Sequence, residues 1–192
     1  MTSITENLAK ITEFSQAEKN MINSKFSTLA ITAKSTLVNI GQRTDKLYFI
    51  IKGCVRKYCL KDGNPVTLLI ATEGEFVVEF VSFMNHSQSE NVLEAIEDCE
   101  LLFITKEDLE MLYHEIPKMN LVMRKVLEQV IYKTHLLLNS FIKLSPEERY
   151  LELLENKPEI LNRVPQHILA SYLGISATSL SRIRKRILNK QN

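Results

Sequence analysis

Thr178, Ser181, Arg182 and Lys185 recur at helical spacing close to the C-terminus, two short hydroxyls and two long cations. Residues three and four apart share one face of a helix. That face suits a DNA major groove, where an arginine fork bonds O6 and N7 of guanine together and a lysine holds a phosphate. Ser176, Ser179 and Arg186 flank the four and complete the candidate DNA-contacting set. Arg182 is the candidate base reader, and Arg184, Lys185, Arg186 and Lys190 are the candidate phosphate holders. Charge agrees with this division. Over residues 161–192 six cations, Arg163, Arg182, Arg184, Lys185, Arg186 and Lys190, stand without one Asp or Glu, giving +6 against −5 for the preceding residues. A basic tip on a nearly neutral chain is the footprint of phosphate binding. The alternative occupant of such a face is an acidic protein partner; glutamates among the recognition positions would favour it, and none is present.

These side chains need a scaffold, and the sequence supplies one. Pro165 suits the start of a helix, where its missing N–H costs nothing, and Ile168, Leu169 and Leu173 give that helix an inward stripe. Ala170 is small enough for a second helix to cross closely. Gly174 offers the positive φ of a tight turn, and Ser176 caps the helix that follows. Leu180, Ile183 and Ile187 turn the second helix inward and the cations outward. The pattern is that of a helix-turn-helix.

Upstream, SPEE at 145–148 reads as a fresh helix start: serine cap, proline at the first position, glutamate closing a capping box. A helix over 147–155 ending near Pro158 makes the C-terminal domain three helices. Before it, from Pro117 to about residue 143, Met119, Met123, Val126, Val130, Leu137 and Leu144 repeat in steps of three and four, beside a second stripe of Leu127, Ile131, Leu138 and Phe141. One stripe suits the chain's own body and the other a second copy, with Val126 and Val130 the expected seam. A helix sandwiched between its own two domains is the alternative. Residues 5–30 carry helical spacing, whereas 35–105 hold brief β-rich runs at 47–51, 55–60, 66–70, 92–96 and 101–104, punctuated by Gly41, Gly53, Gly63 and Gly74, as in a barrel or jelly roll.

Composition bounds the rest. At 192 residues and 45% hydrophobic content the chain can bury one good core and a smaller second. No apolar run approaches the roughly 20 residues of a membrane span, and the N-terminus lacks the cationic start and apolar block of a secretion signal, so a soluble, cytoplasmic protein without membrane contact is expected. Cys54, Cys59 and Cys99 lack metal or disulfide spacing and are expected as buried thiols. No metal site and no catalytic residue is identified.

In this order the chain resembles the Crp/Fnr family of bacterial transcription regulators. The resemblance is carried by LYFIIKGCVR (47–56) with Asp62-Gly63, GEFVVE (74–79), AIEDCEL (95–101), ILASYLGIS (168–176) and LSRIRK (180–185). It implies an α+β fold: an N-terminal double-stranded β-helix, a jelly roll of cyclic-nucleotide-binding type, over 1–115; a dimerisation helix over 116–144; and a helix-turn-helix domain over 145–192. It further implies a homodimer on double-stranded DNA with inverted-repeat half-sites, and is compatible with RNA polymerase and an unidentified small-molecule effector as partners. In nucleotide-binding members a glutamate holds the ribose and an arginine followed by Ser or Thr holds the cyclic phosphate. Here Glu79 matches the first, but Ser89, Glu90 and Asn91 stand at the second, and 76–100 contains no Lys or Arg. A buried phosphodiester would go uncompensated, so cyclic AMP is not expected as effector. An iron–sulfur cluster needs four thiolates where three cysteines exist, and haem would need His86, His114 or His135; no cofactor is identified. Family members that read with Glu-x-x-Ser-Arg keep the serine and arginine found here as Ser181 and Arg182, whereas Thr178 replaces the glutamate, implying a different operator. The jelly roll also hosts cupin-type enzymes, but these need several inward histidines, and His86 is the one histidine of the roll region.

Overall fold

The computed structural model describes residues 4–191, with side chains through Asn189. Two helices come first, α1 (Ile4–Leu8) and α2 (Gln16–Lys25). Ser15 and Glu18 form a capping box at the start of α2, each bonding the other's backbone N–H. Eight strands follow: β1 (Ser27–Ile31), β2 (Thr36–Val38), β3 (Lys46–Lys52), β4 (Val55–Lys61), β5 (Asn64–Ala71), β6 (Phe76–Val77), β7 (Asn91–Ala95) and β8 (Cys99–Thr105), with α3 (Phe80–Asn85) between β6 and β7. They form two antiparallel four-stranded sheets, β1-β8-β3-β6 and β2-β7-β4-β5, which close face to face as a jelly roll. The five expected strands are all present. The helical spacing expected through residue 30 gives way at its end, because β1 pairs with β8 from Ser27 opposite Phe103 to Ile31 opposite Cys99. A partner strand far along the chain decides that segment against its local periodicity.

Between the sheets Val38, Ile50, Val55, Leu93, Ala95 and Leu101 are at most 1% exposed, so the interior of the roll is apolar and filled. Gly53, in the β3–β4 turn, shows how tightly it closes. Its φ is +109°, and a Cβ there would lie 2.5 Å from Cys99 Sγ and 2.9 Å from the Asp98 carbonyl. Only glycine meets both demands.

Helix α4 (Lys106–Glu115), capped by Thr105, leads to α5 (Lys118–Lys143). At 1.5 Å per residue α5 is roughly 39 Å long. Its first turns bury Met119 and Val122 in a core with Ile4, Ile22, Phe49 and Leu112. Beyond them its apolar side chains leave that core, although Lys133 still reaches Glu75 of the roll at 2.6 Å. Leu127, Ile131 and Leu138 are 44%, 67% and 59% exposed, an apolar stripe without cover in one copy of the chain, and Phe141, 43% exposed at its end, is partly covered by Gly174 and Arg149. Val126, expected at the seam with Val130, is only half-exposed.

Four helices close the chain where three were expected: α6 (Pro146–Asn156), α7 (Pro158–Arg163), α8 (Gln166–Tyr172) and α9 (Ala177–Gln191). Pro158 ends α6 as anticipated, yet its fixed φ also starts α7, which the Val164 N–H closes onto the Ile160 carbonyl at 3.0 Å. Ile160, 1% exposed, anchors this extra helix in the C-terminal core. The capping box at α6 is formed as the sequence indicates, with the Ser145 N–H on Glu148 and the Glu148 N–H on Ser145 Oγ. Among the described residues no helix is long and apolar enough to cross a membrane.

Candidate nucleic-acid interface and effector pocket

The turn between α8 and α9 is built from backbone bonds that the sequence prepares. Gly174 has φ +71°; its N–H bonds the Ser171 carbonyl at 3.0 Å and the Ile175 N–H bonds the Ala170 carbonyl at 2.9 Å, closing the end of α8 in a Schellman motif. Ser176 Oγ then accepts the Ser179 N–H at 3.1 Å and lies 2.9 Å from Ser179 Oγ, capping α9. Pro165 occupies the cap position of α8 rather than its first turn, with φ −53° and an extended ψ of 141°. Leu180, Ile183 and Ile187 are buried with Ile168, Leu169 and Ala170, which fixes the rotation of α9.

Thr178, Ser181, Arg182 and Lys185 consequently share its exposed face. Neither Arg182 nor Lys185 has an acidic partner among the described residues. Ser176 and Ser179 are committed to each other at the helix start. Arg186, exposed beside this face, is held by Glu147 at 2.9 Å. Arg184 departs from its expected phosphate-holding place: its guanidinium lies 5.8 Å from the Tyr150 ring and 3.5 Å from the Leu161 carbonyl, turned into the C-terminal core. The Lys190 side chain lies outside the described residues. Arg163 points toward the roll, where Glu73 and Glu97 hold it. The basic tip of the sequence is therefore partly neutralised within the protein, and among the described residues Arg182 and Lys185 remain for an outside anion.

The roll's candidate pair is occupied from within. Glu79 is 1% exposed; its Oε2 accepts the Ser82 N–H at 2.8 Å, capping α3, and its Oε1 accepts Asn91 Nδ2 at 3.0 Å. Ser89, 2% exposed, donates its hydroxyl to the Asn91 carbonyl at 2.7 Å and accepts the Asn91 N–H at 3.0 Å. The cation buried in the roll, Arg56, is paired with Glu94 at 2.8 Å and lies 4.3 Å from the Tyr58 ring. Its register opposite Ile70 and Glu94 sets it on the other side of the sheet from Val55, Ala71 and Ala95, away from the interior. Asn91, placed by the sequence near the phosphate position, locks both Glu79 and Ser89, a role that the polar run 89–91 beside a buried strand signals only faintly.

His86 sits exposed at the end of α3, 3.5 Å from Lys106 Nζ. Cys54 and Cys99 are buried and unpaired, and Cys59 is half-buried. Burial pushes the Cys54 thiol up to about 12, so it stays protonated and unreactive. Among the described residues no three His, Cys, Asp or Glu side chains converge as metal ligands.

Residues 29–115 match the family model of the cyclic nucleotide-binding domain. Curated protein sequences give no match to the chain. Among solved structures, the c-di-GMP-responsive global regulator CLP of Xanthomonas campestris superposes with a TM-score of 0.73 at 21% identity, covering 92% of this chain and 93% of that one. FixK2 of Bradyrhizobium japonicum gives 0.73 at 14% identity over 86% of each chain. A transcriptional regulator from Eubacterium rectale ascribed to the Crp/Fnr family gives 0.70 at 17% identity, covering 92% and 85%. The likeness spans the roll, the long helix and the C-terminal helices, and so the whole architecture is that of these regulators.

Proposed function

From a cyclic nucleotide-binding domain continued by the helices of Crp/Fnr-type structures, we propose that the chain is a homodimeric, sequence-specific DNA-binding transcription regulator of that type. The observation that carries this reading is the single exposed face of α9, where Thr178, Ser181, Arg182 and Lys185 stand together while Leu180, Ile183 and Ile187 hold the opposite face in the core. A helix so fixed can enter a major groove N-terminus first, with Arg182 at the base edges and Lys185 at the backbone. The functional units are the effector domain 1–115, the dimerisation helix 116–144 and the helix-turn-helix domain 145–192. The uncovered stripe of α5 supports the homodimer, since an apolar face of this length is stable in water only against another.

The roll serves as an effector domain that does not take cyclic AMP by the arginine route. Glu79 acts as a structural carboxylate, because both its oxygens already have donors. Selection of bound fragments from random duplex DNA tests the proposal. An enriched inverted repeat with half-site centres about one helical turn apart supports it; no enrichment, with retention on an acidic protein instead, overturns it.

A further inference from the structure

Three cations, from α5, α7 and the α6–α7 joint, converge on one short turn of the roll. Between β5 and β6, Glu73 takes Arg163 of α7 through two bonds, Nη1 to Oε2 at 2.8 Å and Nη2 to Oε1 at 2.7 Å. Glu97, in the turn before β8, receives Nε of the same guanidinium at 3.1 Å. Glu75 receives Lys157, between α6 and α7, at 3.2 Å and Lys133 of α5 at 2.6 Å. The turn is itself braced: the Gly53 N–H reaches Glu73 Oε1 at 2.8 Å, the Thr72 N–H reaches Glu75 Oε2 at 2.9 Å, and the Gly74 N–H reaches the Ile50 carbonyl at 2.9 Å. A second contact lies along β5. Ser171 Oγ of α8 accepts the Thr67 N–H at 2.9 Å and donates to the Pro65 carbonyl at 3.3 Å. Beneath both, Cys54 and Ile70 of the roll join the apolar core of the C-terminal helices.

The clamp and the reading face do not compete for space. Docking uses α7, α8 and the α6–α7 joint, whereas Arg182 and Lys185 on α9 stay exposed. The clamp therefore positions the reading face without hiding it. Building on the DNA-binding proposal above, we infer that the Glu73–Arg163–Glu97 and Glu75–Lys157–Lys133 contacts fix the helix pair on the roll before DNA arrives, and so govern affinity for two half-sites together rather than for one. A dimer gains from its second contact only as far as its two reading heads are already held at the operator spacing; heads that wander must be ordered on binding. Single exposed ion pairs contribute little. Six charged side chains gathered about one braced turn, one guanidinium held by two carboxylates, restrict far more.

The test uses the full chain and two readouts. The first is amide exchange at Thr67, whose N–H is held by a residue of the C-terminal unit and so reports docking without DNA. In the double variant Glu73→Gln/Glu97→Gln this amide should exchange about tenfold faster or more, while the Ile50 and Leu93 amides inside the roll keep their protection. The second is the dissociation constant for a duplex carrying the selected inverted repeat and for one with a single half-site scrambled. The two-site duplex should bind about tenfold more weakly to the variant and the one-site duplex within twofold of wild type. Unchanged exchange at Thr67 overturns the inference, as does faster exchange with the two-site to one-site ratio intact. Should the double variant lose protection throughout the roll, Arg163→Gln, which leaves the roll sequence untouched, must give the same pair of results or the inference fails. Wild-type protein that enriches no duplex overturns the DNA reading itself, a result distinct from all of these.

Discussion

Gly174 and Phe141 are in contact across the junction of the long helix and the terminal helix pair: a Cβ at Gly174 would lie 2.8 Å from Cε1 of the Phe141 ring. Arg149 completes the junction, stacked 4.7 Å from that ring and donating to the Leu173 carbonyl at 3.0 Å and the Leu144 carbonyl at 2.7 Å. Gly174→Ala meets two obstacles, the φ of +71° and the ring. It should destabilise the protein by about 1 to 3 kcal/mol. Adding Phe141→Leu should recover the steric part and leave the backbone part, a partition that thermal unfolding of the two variants measures. Equal stability of Gly174→Ala and wild type contradicts the assignment.

The exposed face of α9 divides by role. Arg182→Ala should cost about 1 to 3 kcal/mol and relax one base pair of each half-site in the selected consensus. Lys185→Ala should weaken all sequences alike and lower the salt slope by about one. Arg186 is already paired with Glu147, so its removal should change the consensus less than that of Arg182. A consensus unaltered by Arg182→Ala would assign the reading elsewhere.

Dimerisation should depend on the uncovered stripe of α5. Ile131→Asp and Leu138→Asp each place a charge where an apolar face is expected to meet its copy, costing several kcal/mol of association. Light scattering should report a monomer at micromolar concentration. Both side chains are more than half exposed in one copy, so the monomer should keep its fold and its circular dichroism.

The roll should take cyclic AMP and cyclic GMP no tighter than about millimolar, some 4 kcal/mol, a limit that calorimetric titration checks. Ser89 and Glu79 spend their hydrogen bonds on Asn91 and on the start of α3. Removing the carboxylate with Glu79→Ala strands the Ser82 N–H and Asn91 Nδ2, and should destabilise by about 1 to 3 kcal/mol. A ligand-holding carboxylate would instead be removable at no cost to stability.

Acid should act on the roll's contact with the C-terminal helices through Glu73. The Arg163 guanidinium, aided by the Gly53 N–H and opposed by partial burial, holds this carboxyl at about 2 against an ordinary 4.5. The lowered folded-state value means that its contribution is complete above pH 4.5 and is lost as pH falls toward 2. Glu97, Lys157 and Lys133 face the same turn; Glu75 shares the effect, because the Lys133 bond and the Lys157 charge outweigh its burial and hold its carboxyl below the ordinary value. With Glu73 40% exposed, solvent screening reduces the contribution to roughly 1 kcal/mol. The stability difference between wild type and Glu73→Gln should stay constant from pH 7 to 5 and shrink below it; a difference that grows on acidification refutes the assignment.

Much of the fold was legible because its signals are local. Five strands bounded by glycines, the capping box Ser145/Glu148, the turn at Gly174 and the rotation of α9 all follow from residues within a few positions of each other. β1, the two-residue β6 and α3 were not, since pairing with β8, pairing with β3 and a cap from Glu79 depend on distant parts of the chain or on side-chain geometry. The basic tip misled for the same reason. Arg163 and Arg184 count as cations in sequence, but their carboxylate and aromatic partners come from Glu73, Glu97 and Tyr150, which no spacing connects to them.

The bond from Thr67 to Ser171 has a consequence for how the chain can be divided. β5 is the outermost strand of its sheet, and its outward N–H and carbonyl groups are an open template for any other extended chain. Pro65 blunts one end, and α8 covers the middle. Cutting after residue 144 would bare that rim together with Cys54 and Ile70, the conditions under which edge strands from separate molecules zip together. The C-terminal helices are thus the roll's guard against aggregation, and the roll can be moved to a new host only together with a replacement for that cover.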